Sequence, residues 1–280
     1  MKSNRIFLTK FIIVIACLFI LTPTNIYAAE PDSSNGVLNE INNSIEDIYN
    51  DSIDLNVTAV SSDEDAYTLL LKHKDLVSLN SDKTLNVNYN SFVDAEKLSE
   101  NDLNTLKNFI EKINVLITEK AITVDKDLLI NYVTDVPREI VIRPMAQIIS
   151  IMSSTRSHAK SLKKVYDNAV FGTRHLVAGS YFAQRVKPGG VWDYKVQLGT
   201  TTKYTVSDLN KSLMTGEAIG NFHYGYVGRS IFSATTLKSA AGLVQIGVGT
   251  SDIKFYKSFF DDPKDQAQIQ KGIDKYNSEH

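Results

Sequence analysis

Cysteine is nearly absent from this sequence: Cys17 is the only one in 280 residues, and it sits inside an apolar N-terminal run. Loss of that run leaves no thiol and no disulfide, which excludes cysteine nucleophiles and cysteine-ligated zinc and leaves the fold to its apolar core. Also missing are the HExxH helix of zinc peptidases, any paired-histidine ligand spacing and the nucleophile-elbow serine, so peptidase and serine hydrolase chemistry have no motif to rest on. Long apolar stretches are lacking too. Residues 11–21 reach about half of the ~20 residues that a membrane-spanning helix needs.

That short run has the anatomy of an export signal. Lys2, Arg5 and Lys10 precede it, Pro23 breaks the helix, and Ala28 and Ala29 supply the small residues of a cleavage site. The expectation is a Sec-type signal peptide over residues 1–28 and a product that is secreted, extracellular or held at the cell wall, with no stable membrane insertion after cleavage. Val14, Ile15, Ala16 and Cys17 also fit a loose lipobox. Cleavage there would leave CLFILTP at the new N-terminus, apolar where a lipoprotein carries a polar tether, so lipidation is the weaker reading.

Net charge is −2 over the whole chain, which conceals a division: residues 29–140 carry 22 acidic and 9 basic side chains, residues 141–280 carry 10 and 18. Ten of those 18 lie between Arg143 and Lys203, against only Asp167 and Asp193. Two solvated faces could differ this much without consequence. The functional reading is that the basic half neutralises a polyanionic substrate, RNA, DNA or an anionic cell-wall polymer. Residues 29–140 would then be a linker, a spacer or a masking pro-segment. Pro137 and Pro144, around Ile140, Val141 and Ile142, mark the boundary with residues 141–280.

Periodicity gives the fold class. Val37, Leu38, Ile41, Ile45 and Ile48 predict one marginal helix in an Asn-, Ser- and Asp-rich stretch, and residues 85–89 alternate like a short half-buried strand. Ser99 and Asp102 start an amphipathic helix with the stripe Leu103, Leu106, Phe109, Ile110, Ile113 and Ile117. His73 reads as exposed. The acidic half shows no repeat, no phosphate-binding glycine loop and no clustered ligands. In the second half, Met145, Ile148, Ile149, Met152, Leu162, Val165, Tyr166, Ala169 and Val170 predict a long helix with Arg156, Lys160, Lys163 and Lys164 on its other face. A further helix runs from about Thr173 to Val186, residues 204–206 make at most a short strand, and Ser207 reads as the cap of a helix reaching Met214. The expectation is a mainly α C-terminal domain preceded by a smaller, mixed α/β acidic region.

Chemistry-bearing side chains concentrate near residues 189–229. The stretch holds Trp192, Asp193 and Lys195 in GGVWDYK, then Glu217, Asn221, His223, Tyr224 and Arg229 in EAIGNFHYGYVGR. Inside a helix, each of Gly216, Gly220, Gly225 and Gly228 costs about 1 kcal/mol against alanine, which something must offset. Either these glycines let helices pack closely, or they hold a cleft open beside Glu217, Asn221 and Tyr224. On an ideal helix wheel His223 and Glu217 do not share that cleft, so one of them is a spectator. Further on, Asp262, Pro263 and Asp265 read as a helix start. Together with Asp261 these carboxylates could instead hold a divalent metal or orient a general base, and no other cofactor is implied.

Three blocks, GGVWDYK, GNFHYGYVG and DDPKDQ…GIDKY, resemble in identity and order the toxin domain called type 44 in bacterial polymorphic toxin systems. The resemblance covers only the C-terminal half. It implies a toxin described as a predicted ribonuclease, with an immunity protein as candidate partner. Under that reading His223 is the general base or acid at the ribose 2′-hydroxyl, with a pH inflection at about 6 to 7. Lys195 and Arg229 then stabilise phosphorane charge, Trp192 or Tyr224 stacks a base, Asn221 binds substrate, and Asp262 and Asp265 join the catalytic set. A peptidoglycan hydrolase is the alternative, with Glu217 as general acid and Asp193 or Asp261 as its partner. A third reading is a non-enzymatic protein that binds the wall or a surface.

Overall fold

The computed structural model of the chain describes residues 42–43, 59–133, 148–238 and 263–280. The expected signal peptide and lipobox, most of the expected residue 37–48 helix, Pro137, Pro144, Asp261 and Asp262 lie outside the described residues.

Residues 59–133 build helices and two small hairpins around aliphatic side chains. Helix α1 (Asp63–Lys72) starts where Ser62 accepts from the Asp65 N–H, with three acidic residues in its first turn complementing the dipole. The hairpin of β1 (Val77–Leu79) and β2 (Leu85–Val87) follows, then α2 (Tyr89–Glu96), α3 (Glu100–Thr118) and the hairpin of β3 (Ile122–Val124) and β4 (Ile130–Tyr132). Helix α3 opens on the expected capping box of Ser99 and Asp102, and Leu106, Phe109, Ile110, Ile113 and Ile117 are buried along its stripe. Asn114 on that helix extends the sheet edge, donating to the Leu85 carbonyl at 2.9 Å and accepting the Leu85 N–H at 2.6 Å. His73 departs from expectation. It is half-buried, hydrogen-bonded to Glu96, which also pairs with Lys72, and set edge-on against Phe92.

The second region contains β5 (Ile148–Ile149), α4 (Met152–Asn168), α5 (Arg174–Val186), α6 (Tyr194–Leu198), β6 (Lys203–Val206), β7 (Ser212–Thr215) and α7 (Gly216–Arg229). Residues 234–238 are helical, and α8 (Pro263–Glu279) follows. The described residues are mainly helical with small sheets, as expected.

Two elements differ from the periodicity reading. Ile148 and Ile149 form a strand parallel to β6, because Asp208 starts the helix later: its carboxylate accepts the N–H groups of Ile151 and Met152 and the Ser150 hydroxyl. A cap supplied from so far along the chain has no local signature. Residues 207–214 are not a helix either. Asn210 and Lys211 adopt positive φ (both 54°) and turn the chain back, so that β7 pairs antiparallel with β6.

Glycine decides how α8 meets α7. A Cβ on Gly225 would fall far inside the Ile269 carbonyl, and one on Gly272 inside the Phe222 carbonyl. Close helix packing therefore accounts for Gly225, whose helix penalty is offset by backbone-to-backbone contact, while Gly216 meets the Gly199 carbonyl and Gly220 and Gly228 meet side chains. The two regions share one apolar core. Phe171 packs against Tyr67 and Phe109 with ring centroids 6.1 Å from each, and its N–H donates to Asp63 at 3.1 Å. No helix among the described residues is long and apolar enough to cross a membrane.

Candidate functional site

The break after α5 is what delivers Trp192. Pro188 ends the helix, and a Cβ on Gly190 would overlap the Arg185 carbonyl, so the chain folds tightly back and the Trp192 N–H donates to that same carbonyl at 2.8 Å. Asp193 fixes the turn, accepting the Gly189 N–H at 2.7 Å and capping α6 through the N–H groups of Lys195 and Val196.

Trp192 comes to rest flat on His158 of α4, with ring centroids 4.4 Å apart and planes 16° from parallel. At the edge of His158, and itself edge-on to Trp192 at 6.0 Å, is His223 of α7: His158 Nδ1 and His223 Nε2 are 2.8 Å apart. Tyr194 closes the group, its ring edge-on to His223 at 4.8 Å and its hydroxyl 2.9 Å from Ser154 Oγ. His223 is 1% exposed, whereas His158 is half-buried and is the member that solvent reaches.

Burial disfavours the imidazolium at both positions. It pulls His158 down to about 4, with the Arg185 charge adding to the effect, and holds His223 well below the usual histidine range. Both rings are therefore neutral at pH 7, and a neutral pair satisfies the contact in either tautomer. If His158 donates from Nδ1, its Nε2 keeps a lone pair and can take a proton. If it accepts there, its Nε2 carries a proton and can give one. Arg185 packs behind Trp192. Its guanidinium lies 3.3 Å over Tyr181 and 5.5 Å from the indole, and donates to the Glu119 carbonyl at the end of α3 at 3.2 Å.

The remaining sequence candidates fall into separate places. Lys195 and Glu217 face each other at 3.3 Å, each 39% exposed, so Glu217 does not share the His223 face, as the helix wheel implied. Asn221 donates to Asp265 at 2.6 Å, tying α7 to the first turn of α8. Tyr224 stacks on Phe182 and its hydroxyl donates to the Leu237 carbonyl at 3.1 Å. Arg229 donates to the Phe232 carbonyl at 3.1 Å. Among the described residues no group of three or more His, Cys, Asp or Glu is arranged to hold a metal ion.

The basic face of α4 is less free than its sequence suggests. Arg156 makes a bidentate pair with Glu279 at 2.7 and 3.0 Å, Lys163 pairs with Asp167, and Lys164 pairs with Glu119 at 3.0 Å. Glu279 also accepts the Tyr226 hydroxyl, and these partners, Arg156 first, hold its carboxyl well below the carboxylate range.

Sequence reasoning missed His158. A signal was present: Thr155, His158, Leu162 and Val165 recur at three and four residues, which places the histidine on the edge of the inward stripe.

Residues 181–278 match the family model described as bacterial toxin 44. No curated protein and no solved structure matches the chain. The matched stretch includes Trp192, His223 and Asp265 and begins after α4, so His158 comes from outside it.

Proposed function

We propose that the chain is an exported bacterial toxin whose C-terminal part is a ribonuclease, with the His158–His223 pair as its proton-transfer centre. The observation that carries this reading is the neutral, half-enclosed imidazole pair beside Trp192. Cleavage at a ribose 2′-hydroxyl takes a proton from that oxygen and returns one to the leaving 5′-oxygen. In the tautomer that leaves His158 Nε2 a lone pair, that nitrogen takes the proton, the pair carries one positive charge across its Nδ1–Nε2 contact, and the same nitrogen then gives the proton to the leaving oxygen. Lys195, adjacent in sequence to Tyr194, is the cation proposed for the phosphorane. Trp192 holds the His158 ring plane. Residues 59–133 act as support as much as cover, since Arg185 links the end of α3 to Trp192. An immunity protein protecting the producing cell completes the reading.

The peptidoglycan alternative finds less support. A glycosidase acid works from an apolar enclosure that keeps its carboxyl protonated, whereas Glu217 is well exposed and ion-paired.

The test is the purified full chain and three variants, assayed on RNA and on a cell-wall suspension. His158→Ala and His223→Ala should each lower RNA cleavage by roughly a hundredfold or more, and Glu217→Gln by about tenfold or less. The acid limb of the parent's profile should fall near pH 4, where His158 protonates, and not at the pH 6 to 7 of an ordinary histidine. Melting temperatures of the variants must match the parent for the rates to be compared. Wall lysis abolished by Glu217→Gln but retained by His158→Ala would replace the ribonuclease with the hydrolase.

A further inference from the structure

From Trp192 a series of ring contacts runs away from the histidine pair and surfaces again. Trp192 meets Phe182 at 6.4 Å, Phe182 meets Phe232 at 6.5 Å, and Phe232 meets His175 at 6.4 Å. His175 stands edge-on to Tyr166 at 4.8 Å and 76°, with the Tyr166 hydroxyl 3.4 Å from its Nε2. Trp192 and Phe182 are buried, Phe232 and Tyr166 are half-buried, and His175 is exposed. Two exposed cations lie over the Tyr166 ring at long range, where an entering base would displace them toward its phosphates: Arg174 is 6.0 Å and Lys163 5.7 Å from the ring centroid, with Lys163 shared with Asp167.

Tyr166 and Phe232 pack against the apolar core, but core packing does not account for the exposed His175 ring set edge-on to Tyr166 between two cations, which buries little apolar surface. Its chemistry is that of a single-strand platform, in which ring faces take bases and cations take the flanking phosphates. Position agrees. Tyr166 and His158 lie on the same helix eight residues apart, about 12 Å along its axis. With about 80° of rotation between them as well, the cluster is placed for a nucleotide further along the strand from the reacting one.

We infer that Tyr166 and His175, with Arg174 and Lys163, form a base-stacking subsite for single-stranded RNA. The inference rests on the ribonuclease reading and names what holds the strand while the histidine pair acts.

The experiment uses the full chain carrying His158→Ala, so that RNA survives the measurement, and follows a labelled, unstructured single-stranded RNA by fluorescence anisotropy over a salt series. Adding Tyr166→Ala should raise Kd by about tenfold with the salt slope unchanged, the signature of lost stacking. Tyr166→Phe should bind as the parent does. Arg174→Ala should raise Kd and flatten the salt slope by about one phosphate contact. His175→Ala, at an exposed position, repeats the stacking test should Tyr166→Ala fail to fold. A duplex RNA of the same length should be insensitive to both ring substitutions, because its bases are already stacked on one another. If the single strand binds and neither ring substitution changes Kd, the subsite is refuted while the ribonuclease stands. If the single strand does not bind at any salt, both fall together.

Discussion

Residues 59–133 and the region from residue 148 onward bury different things. Tyrosines apart, every buried polar or charged side chain among the described residues, from Thr155 through Arg185, Asp193, Asn221 and His223 to Gln266, belongs to the second region. The first buries aliphatic and aromatic side chains, with the Tyr67 hydroxyl, which donates to the Leu128 carbonyl, and the Tyr132 hydroxyl among its enclosed polar groups, and contains no glycine between residues 59 and 133. A buried polar group that loses its partner costs about 1–3 kcal/mol, so a fold accumulates such groups only where their arrangement has a use. The contrast supports the proposal that places the chemistry in the second region, between α4 and α7.

The comparison breaks most readily at the glycines where α8 crosses α7. Gly225→Ala and Gly272→Ala should each destabilise by about 3 kcal/mol or more, since the added methyl meets a backbone carbonyl that cannot move unless the helices separate. Gly179→Ala in α5 is the control. Its Cβ would find only the Phe232 ring edge at 3.5 Å, an ordinary contact, so it should gain up to about 1 kcal/mol of helix propensity. Urea melts of the three variants read this directly. Equal, small effects at all three positions would mean that α7 and α8 do not meet through their glycines.

Acid sharpens the contrast next. His158 is depressed from 6.5 to about 4 in the folded chain, so below pH 6.5 the unfolded chain binds a proton that the folded chain refuses. Stability from this group is complete above pH 6.5 and is lost as pH falls to about 4, a change on the order of 3 kcal/mol, with His223 acting in the same direction. His158→Gln should flatten the pH 4 to 6.5 limb of a denaturation series. A limb unchanged by the substitution would assign the acid sensitivity to other groups.

The elements that were legible in the sequence are those whose cause is local. The Ser99 capping box and the α3 stripe lie within single turns, and α5 begins after Thr173 and ends before Pro188 as its residues require. Elements fixed from a distance were not legible. Asp208 decides where α4 starts, and two positive-φ residues convert an apparent helix into β7. The site divides in the same way. Trp192 and His223 stand out as rare residues in a polar stretch, whereas His158 sits 65 positions earlier and becomes visible only when α4 is packed on α7. Asp193 and Arg229 were read as chemistry because charge in a glycine-rich stretch suggests it, yet in the structure both hold backbone groups.

Ordinary capping and ordinary surface should respond alike in the two regions, and here the expected effects are smallest. Ser99→Ala removes one side-chain acceptor from the start of α3 and should cost about 1 kcal/mol, with RNA cleavage unchanged. Glu217→Gln removes an ion pair whose two members are each 39% exposed, so solvent and salt already screen most of the attraction. Its effect on stability should stay below about 1 kcal/mol and shrink further as salt is raised. Together the two variants ask whether the special character of the second region lies in its buried polar layer or extends to its surface. A Glu217→Gln protein that keeps its melting temperature and loses its turnover would show that Lys195 acts as one half of its ion pair with Glu217 and not alone, and would make Glu217 part of the chemistry.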